Sequence, residues 1–595
     1  MKLKDYHNHY DLKTLSAKEL SELAEDLRTT IITTVKKNGG HLASNLGTVE
    51  LTISLLKSFD IDNNDLILFD TGHQTYPYKI LTDRKEQFST IRLPHGLSAF
   101  QSPQESKYDY LANGHAGTAL STAIAYSYNP QYQNIVCIIG DAAFTNGLTF
   151  EALNHLGTIA NKVIIILNDN EMSISKNISI LHTTISKFRA SWFYKMMAKI
   201  SKVTRYIPPF TLLYLCHLLV EKLIHRFAIP GLFAGFNLDY IGKIDGHNFR
   251  KLTRALKNAK KAKGSVLVHV NTKKGKGYQE ENPTGSESCH SYSLATKPES
   301  EWSYYVAQHL QKVFQDQKFY LISAAMQSSL YLEEFMNENK DYFIDVGIAE
   351  EHGVTLASGF ALDHHKVIVS MYSTFLQRAY DEILHDVVRN HLPVIFLIDR
   401  ASLSLADGVS HHGVYDISFL NSMGGFAIIA QPANGADFNQ MLQLALANDY
   451  DPFFIRYPKM GITYNTTPTS FKIGEWEYYL SSPNAQYIII TYGNNVEHFK
   501  KLIMNKQLAA KVNLVNARFI NPIDEKMMQE IIAHQYHQII IYEEVVKQGG
   551  LFSNIINTFP NLDLRNIKHY AYEHGLLTKN PLNPDDVIKE NFGNL

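Results

Sequence analysis

The sequence predicts an α/β protein of three doubly wound domains. Three features point there. The chain has 595 residues, too many for one hydrophobic core, so about two to four domains are expected. Asn134–Leu167 reads as a strand, a crossover helix and a second strand. Residues 487–558 alternate strand and helix, the pattern of a compact doubly wound sheet.

From the N-terminus, residues 14–37 place Leu20, Leu23, Ala24, Leu27 and Ile31 at helical spacing. Gly39-Gly40 breaks the pattern ahead of His41, and 49–58 reads as another helix. Leu66–Phe69 is a short strand ending at Asp70, with His73 close behind. Gly114-His115-Ala116-Gly117 precedes an Ala-rich helix, a place where backbone N–H groups can meet phosphate. Asn134–Ile139 is apolar and β-branched and ends in Gly140-Asp141. Leu148, Ala152, Leu153, Leu156, Ile159 and Ala160 then recur at helical spacing, and Lys162–Leu167 runs into Asn168-Asp169-Asn170. Two buried parallel strands joined by a helix give this pattern. Ligands of such sheets sit beyond the carboxyl ends of the strands, where Asp141 and Asn170 fall. A carboxylate and an amide carbonyl are hard oxygen donors suited to Mg²⁺ and its phosphate co-ligands. Asn168 competes with Asn170, and an Asx turn is the plain structural reading of both.

Residues 176–235 read as helical with a break at Pro208-Pro209, and Val266–Val270 is the next strand. The polar stretch 279–300 looks like a linker. The second domain has strands at Tyr320–Ala325, Val367–Met371 and Val394–Ile398, with Tyr372 and Arg400 just past two of them. A second polar connection spans 462–486. Strands Tyr487–Thr491, Val512–Val515 and Gln538–Tyr542 then alternate with helices at 493–504, 524–535 and 550–558. The domains so drawn are 1–300, 301–465 and 466–595.

The 45% apolar share is ordinary for a globular protein, and a net charge of −2 argues against nucleic acid or an anionic membrane as partner. Cys137, Cys216 and Cys289 show no CxxC spacing, and the N-terminus has no apolar signal core, so a cytoplasmic protein with free thiols is expected. Phe210–Ile224 is too short for a membrane span and contains His217, Glu221 and Lys222. His411-His412 has neither the spacing nor the Cys partners of a zinc site.

Gly-Asp followed by Asn resembles the thiamine diphosphate motif of transketolase-like enzymes. Further segments follow in family order: GGHLASNLGTVELT (39–52), DTGHQTYPYKILT (70–82), LNDNEMSIS (167–175), TKKGKGY (272–278), IAEEHGVT (348–355), YSTFLQRAYDEILHDV (372–387) and ADGVSHHGVYD (406–416). They resemble the 1-deoxy-D-xylulose-5-phosphate synthase family almost from end to end. The resemblance implies a cytoplasmic homodimer with thiamine diphosphate and Mg²⁺ between the first and second domains. It implies decarboxylative condensation of pyruvate with glyceraldehyde 3-phosphate.

It also implies residue roles. Glu350 meets N1′ of the aminopyrimidine, a buried carboxyl that should carry a raised pKa; its plain reading is an acid at a helix start. Asp141, Asn170 and the Met172 carbonyl hold Mg²⁺. His73, Gly114, His115, Ala116, Ala142, Ala143, Asn170 and Tyr278 line the diphosphate side, and Phe375 stacks on the pyrimidine or merely packs in the core. His41, His411 and His290 line the substrate pocket. Tyr372, Arg378, Arg400, Asp407 and Lys459 form the acceptor-phosphate end; surface charge is the plain reading of any one Arg, and Arg400, directly after an apolar strand, is the better case. The family's second Gly in GDG is Ala142, its GHSS is Gly114-His115-Ala116-Gly117, a pocket Gly is Asn45, an Arg is Lys459 and a Gln is Glu351. These departures keep two rivals open: a related ketol or acyl transferase, and an impaired cofactor-binding protein.

Overall fold

A computed structural model describes residues 1–170, 233, 235–278, 297–404, 407–464, 470–575 and 580–593. The expected helical segment 176–235 and linker 279–300 fall largely outside them, as do Cys216, Cys289, Met172 and His290. Two compact units form, Met1–Leu294 and Ala295–Leu595.

In the first unit, β1 (Asp65–Phe69), β2 (Asn134–Gly140), β3 (Ile164–Asp169), β4 (Asp239–Asp245) and β5 (Val266–Asn271) make one parallel sheet, ordered β1-β2-β3-β5-β4. The inner strands are buried along nearly their whole length, as a parallel sheet covered on both faces requires, while edge strand β4 is partly exposed. The helix Ala17–Asn38 buries Leu20, Leu23, Ala24, Leu27 and Ile31, as their spacing predicts. It starts at a reciprocal cap: the Ser16 hydroxyl accepts the Glu19 N–H, and the Glu19 carboxylate accepts the Ser16 N–H at 2.9 Å.

The β2–β3 crossover departs from the expected single helix. Asp141–Phe144 and Gly147–Leu156 are separate helices: the first closes at Thr145, and Asn146 caps the second, accepting the Leu148 N–H at 3.1 Å. Ala152, Leu153 and Leu156 are buried, but Leu148 is exposed, and Ile159 and Ala160 lie past the helix end.

The second unit carries two sheets. Its strands are β6 (Tyr320–Ser323), β7 (Phe343–Asp345), β8 (Val367–Tyr372), β9 (Ile395–Asp399), β10 (Ile428–Ala430), β11 (Phe453–Arg456), β12 (Glu477–Leu480), β13 (Tyr487–Thr491), β14 (Val512–Asn516), β15 (Phe519–Asn521), β16 (Gln538–Val546) and β17 (Ile567–Tyr572). The orders are β15-β10-β11-β9-β8-β6-β7 and β12-β14-β13-β16-β17, parallel except that β15 and β12 are antiparallel edges. One hydrophobic core runs through both, from Trp302 through Ile490 to Ile555. β12 lies inside the stretch read as a polar connection. It is a short edge strand whose residues are half-buried or exposed, so its apolar pattern is weak. Among the described residues no helix is long and apolar enough to cross a membrane.

Candidate active site

In the first unit Asp141 follows β2 and Asn170 follows β3, with Gly140 opposite Asn168 in the ladder. The Ala142 N–H donates to Asp141 Oδ1 at 3.1 Å, and the Asn170 N–H faces the same carboxylate. Asp141 Oδ2 is buried with no hydrogen-bond partner among the described residues. Burial, then the charge of Asp169, pushes the Asp141 carboxyl up to about 7. A divalent cation relieves both causes, and a carboxylate beside an amide carbonyl is a donor set that Mg²⁺ accepts. The residues present therefore fit that ion. Asn168, the competing choice, is engaged: its Oδ1 accepts the Thr272 hydroxyl at 2.7 Å.

Asp169 carries a network that the sequence did not single out. Its carboxylate meets Lys243 Nζ and His269 Nε2, each at 2.8 Å, and His269 Nδ1 meets the Tyr240 hydroxyl at 2.8 Å. Burial opposes its charge, yet His269 and Lys243 hold Asp169 well below the usual carboxylate range.

The His41 and His73 rings lie 5.7 Å apart. Asn45 ties their backbones together, donating to the His41 carbonyl at 2.6 Å and the His73 carbonyl at 2.8 Å while accepting the Tyr76 N–H at 2.8 Å. Burial, with the Lys274 charge adding to it, pushes the His73 imidazole down to about 4, so it is neutral at pH 7.

At the end of the Gly114–Gly117 turn, Gly117 has a φ of 90°, and a Cβ there would sit 2.2 Å from Asn146 Oδ1, so glycine is required. The Asp70 carboxylate accepts the N–H groups of Gly117 at 2.9 Å and Ala119 at 3.1 Å. Those two N–H groups are taken by Asp70; the residues expected on the diphosphate side, Gly114, His115 and Ala116, precede them in the turn. Ala142 and Ala143 form the helical turn after Asp141. The Tyr278 ring packs under the Lys36 ammonium at 5.2 Å. The loop before it is anchored by Glu50, whose carboxylate meets Arg28 at 2.6 Å, Lys276 at 2.9 Å and His247 at 3.0 Å. Burial works to raise the Glu50 carboxyl, but these partners hold it down to about 2.

In the second unit Glu350 opens the helix Glu350–Leu362 and is 2% exposed. Its Oε2 lies 3.6 Å from Arg378 and has no hydrogen-bond partner among the described residues. Burial outweighs Arg378 and pushes the carboxyl up to about 7. Arg378, read from sequence as part of the acceptor end, is thus a neighbour of Glu350. Phe375 stacks on Tyr372 at 5.6 Å and meets the His411 ring edge-on at 5.5 Å.

Arg400 pairs with Asp399 at 2.7 Å, donates to the Ser329 carbonyl at 3.3 Å and lies over the Tyr372 ring at 3.9 Å. Lys459 Nζ lies 3.9 Å from Glu301, and Asp407 accepts the Ser404 hydroxyl at 3.4 Å. All three cations expected at the phosphate, Arg378, Arg400 and Lys459, therefore have carboxylate neighbours.

Three family models match the chain in sequence order. The model described as 1-deoxy-D-xylulose-5-phosphate synthase matches residues 3–272. The transketolase pyrimidine-binding domain matches 299–463, and the transketolase C-terminal domain matches 477–587. The 1-deoxy-D-xylulose-5-phosphate synthase of Clostridium tetani is 39% identical over 612 residues, covering 98% of each chain. Those of Clostridium kluyveri and Aquifex aeolicus are both 38% identical, covering 93% and 94% of this chain and 90% and 91% of their own. A solved transketolase from Leishmania mexicana aligns over 96% of this chain and 95% of its own at 13% identity, with a TM-score of 0.39, too distant to carry an argument. With three matched domains in order and relatives this similar over almost its whole length, the chain belongs to the 1-deoxy-D-xylulose-5-phosphate synthase family.

Proposed function

We propose that the chain condenses pyruvate with glyceraldehyde 3-phosphate, releasing CO₂ and giving 1-deoxy-D-xylulose 5-phosphate. Glu350 carries this reading. It is a fully enclosed carboxyl, beside one arginine, whose value near 7 lets it hold or release a proton at neutral pH. Bound thiamine diphosphate supplies a nucleophilic carbon and an electron sink. Glu350 would hold a proton on its carboxyl facing the aminopyrimidine, with Arg378 as counter-charge and Phe375 stacking on the ring.

Asp141, Asn170 and the Met172 carbonyl would hold Mg²⁺. Neutral His73, with Gly114, His115, Ala116, Ala142, Ala143 and Tyr278, would take the diphosphate side. His41, His411 and His290 would line the pocket. Arg400, Tyr372, Asp407 and Lys459 would orient the aldehyde phosphate, Arg400 from a position already fixed by Asp399. Domains at 1–300, 301–465 and 466–595, a homodimer and a cytoplasmic location complete the proposal.

A second reading, a related transferase with a different acceptor, is favoured by Lys459. It is 39% exposed and gives a point charge where a forked guanidinium would fix geometry. The test is incubation with thiamine diphosphate, Mg²⁺, pyruvate and a panel of aldehydes, with products identified by mass. Product from glyceraldehyde 3-phosphate far above all others supports the first reading. Equal use of unphosphorylated aldehydes supports the second.

A further inference from the structure

The segment 410–421, which carries His411, is gripped from both sheets of the second unit. On the β8–β11 side, the Ser410 carbonyl accepts the Thr374 hydroxyl at 2.9 Å, and the Gly413 N–H donates to the Ser402 carbonyl at 2.8 Å. Gly413 is pressed so close that a Cβ would lie 2.1 Å from the Arg400 carbonyl. On the β13–β16 side, the Val414 carbonyl accepts the Val546 N–H at 3.1 Å. The Ser418 hydroxyl donates to the Gln548 carbonyl at 2.5 Å, and the Asn421 amide to the Gly549 carbonyl at 2.7 Å.

Arg456, the last residue of β11 and 1% exposed, closes the grip. Its guanidinium forks onto Asp416 at 2.9 and 3.0 Å, donates to Gln431, and reaches the Gly413 carbonyl at 3.5 Å. A buried fork of this kind fixes direction as well as charge.

We propose that Arg456 is a positioning residue: by pinning Gly413 and Asp416 at the end of β11, it holds the His411 segment where Val414, Ser418 and Asn421 bond β16 and the turn after it, so that both sheets set the geometry of the substrate pocket. This rests on the reading that His411 lines that pocket. Arg456 touches no substrate; it acts through Gly413 and Asp416. A displacement of about 1 Å at a pocket residue can cost about 10²-fold in rate.

Two measurements test it. Arg456→Lys keeps the charge and loses the fork. In the apo protein, hydrogen exchange at 409–416 is expected to quicken at least about tenfold while strands β8 and β13 stay protected. In turnover, the loss is expected to be about 10²-fold and absent when His411 is already alanine, because groups acting as one unit are not additive. Unchanged exchange at 409–416, or a full further loss in the His411→Ala background, overturns the proposal. Should His411→Ala leave turnover intact, the pocket reading fails, and the exchange result alone decides on Arg456. Should Arg456→Lys not fold, Asp416→Asn, which keeps the size but removes the carboxylate that the guanidinium forks onto, is put through the same two measurements with the same deciding outcomes.

Discussion

Glu50 and Glu350 are both buried glutamates in the first turn of a helix, 4% and 2% exposed, and they behave in opposite ways. Glu50 is ringed by Arg28, His247 and Lys276 and is held down to about 2. Glu350 has Arg378 at 3.6 Å and an oxygen with no hydrogen-bond partner among the described residues, and it is pushed up to about 7. Burial alone raises both; the number of donors decides the outcome. A buried acid with its lone pairs filled is a fastener. One left half-satisfied keeps a proton near neutrality and stores instability that a bound partner can relieve.

The comparison breaks first at Glu350→Gln. General acid–base assistance is typically worth about 10²–10⁴-fold. A loss of that order is expected in C2–H exchange of bound thiamine diphosphate, read by quenched-flow NMR, with the fold intact. Exchange at the wild-type rate would remove Glu350 from the activation of the cofactor.

Next is Glu50→Gln, which removes the buried partner of the Arg28 guanidinium and leaves it only the exposed Glu25 at 3.5 Å. Breaking a buried pair costs about 3–5 kcal/mol, so denaturant unfolding should shift strongly while turnover per folded molecule survives. If turnover falls and stability does not, pairing is not what separates the two glutamates.

Third is the pH dependence of the apo protein. The folded value of Glu350 lies above its ordinary value of 4.5. The stability of its protonated form is complete below 4.5 and is lost as pH rises through about 7. The loss is on the order of 3 kcal/mol. Glu350→Gln should therefore melt above wild type at pH 8 and close to it at pH 4.5; a difference constant with pH would sink this account.

The smallest effect is expected at Glu351, whose charge adds slightly to the raised value of Glu350. Glu351→Gln should change stability by no more than about 0.5 kcal/mol and leave C2–H exchange within a few-fold of wild type. If the Glu351 variant is the slow one, the activating carboxyl lies one residue along.

Much of the fold is legible because buried parallel strands are short continuous apolar runs. Tyr487–Thr491 is a strand over the residues its composition marks, and β2, β3, β5, β8 and β9 lie within about two residues of theirs. β12 and the break at Asn146 are less legible: one is a weakly patterned edge, the other a cap that interrupts a continuous helical spacing.

In the site, residue types at strand ends can be read, but their partners cannot. Lys276 and His247 reach Glu50 from 226 and 197 residues away. Arg378, which the family resemblance places at the phosphate end, lies beside Glu350 from 28 residues along the chain. Asp70 claims the Gly117 and Ala119 N–H groups from 47 and 49 residues upstream. Whether a carboxyl is fastener or acid depends on such pairings, which only the folded chain creates.

β15 bears on how the chain could be cut. Although it follows β14 in sequence, Phe519–Asn521 pairs antiparallel with β10 and seals the edge of the sheet opposite β7, the strand that leads to Glu350. A chain shortened ahead of β12 would leave β10 with a bare row of N–H and C=O groups, a template for pairing with other chains. Such a fragment is expected to aggregate, so the C-terminal region from β12 onward serves as a solubility shield for its neighbour. The two therefore cannot be exchanged as independent cassettes in chimeras unless the β15 strand travels with the sheet it covers.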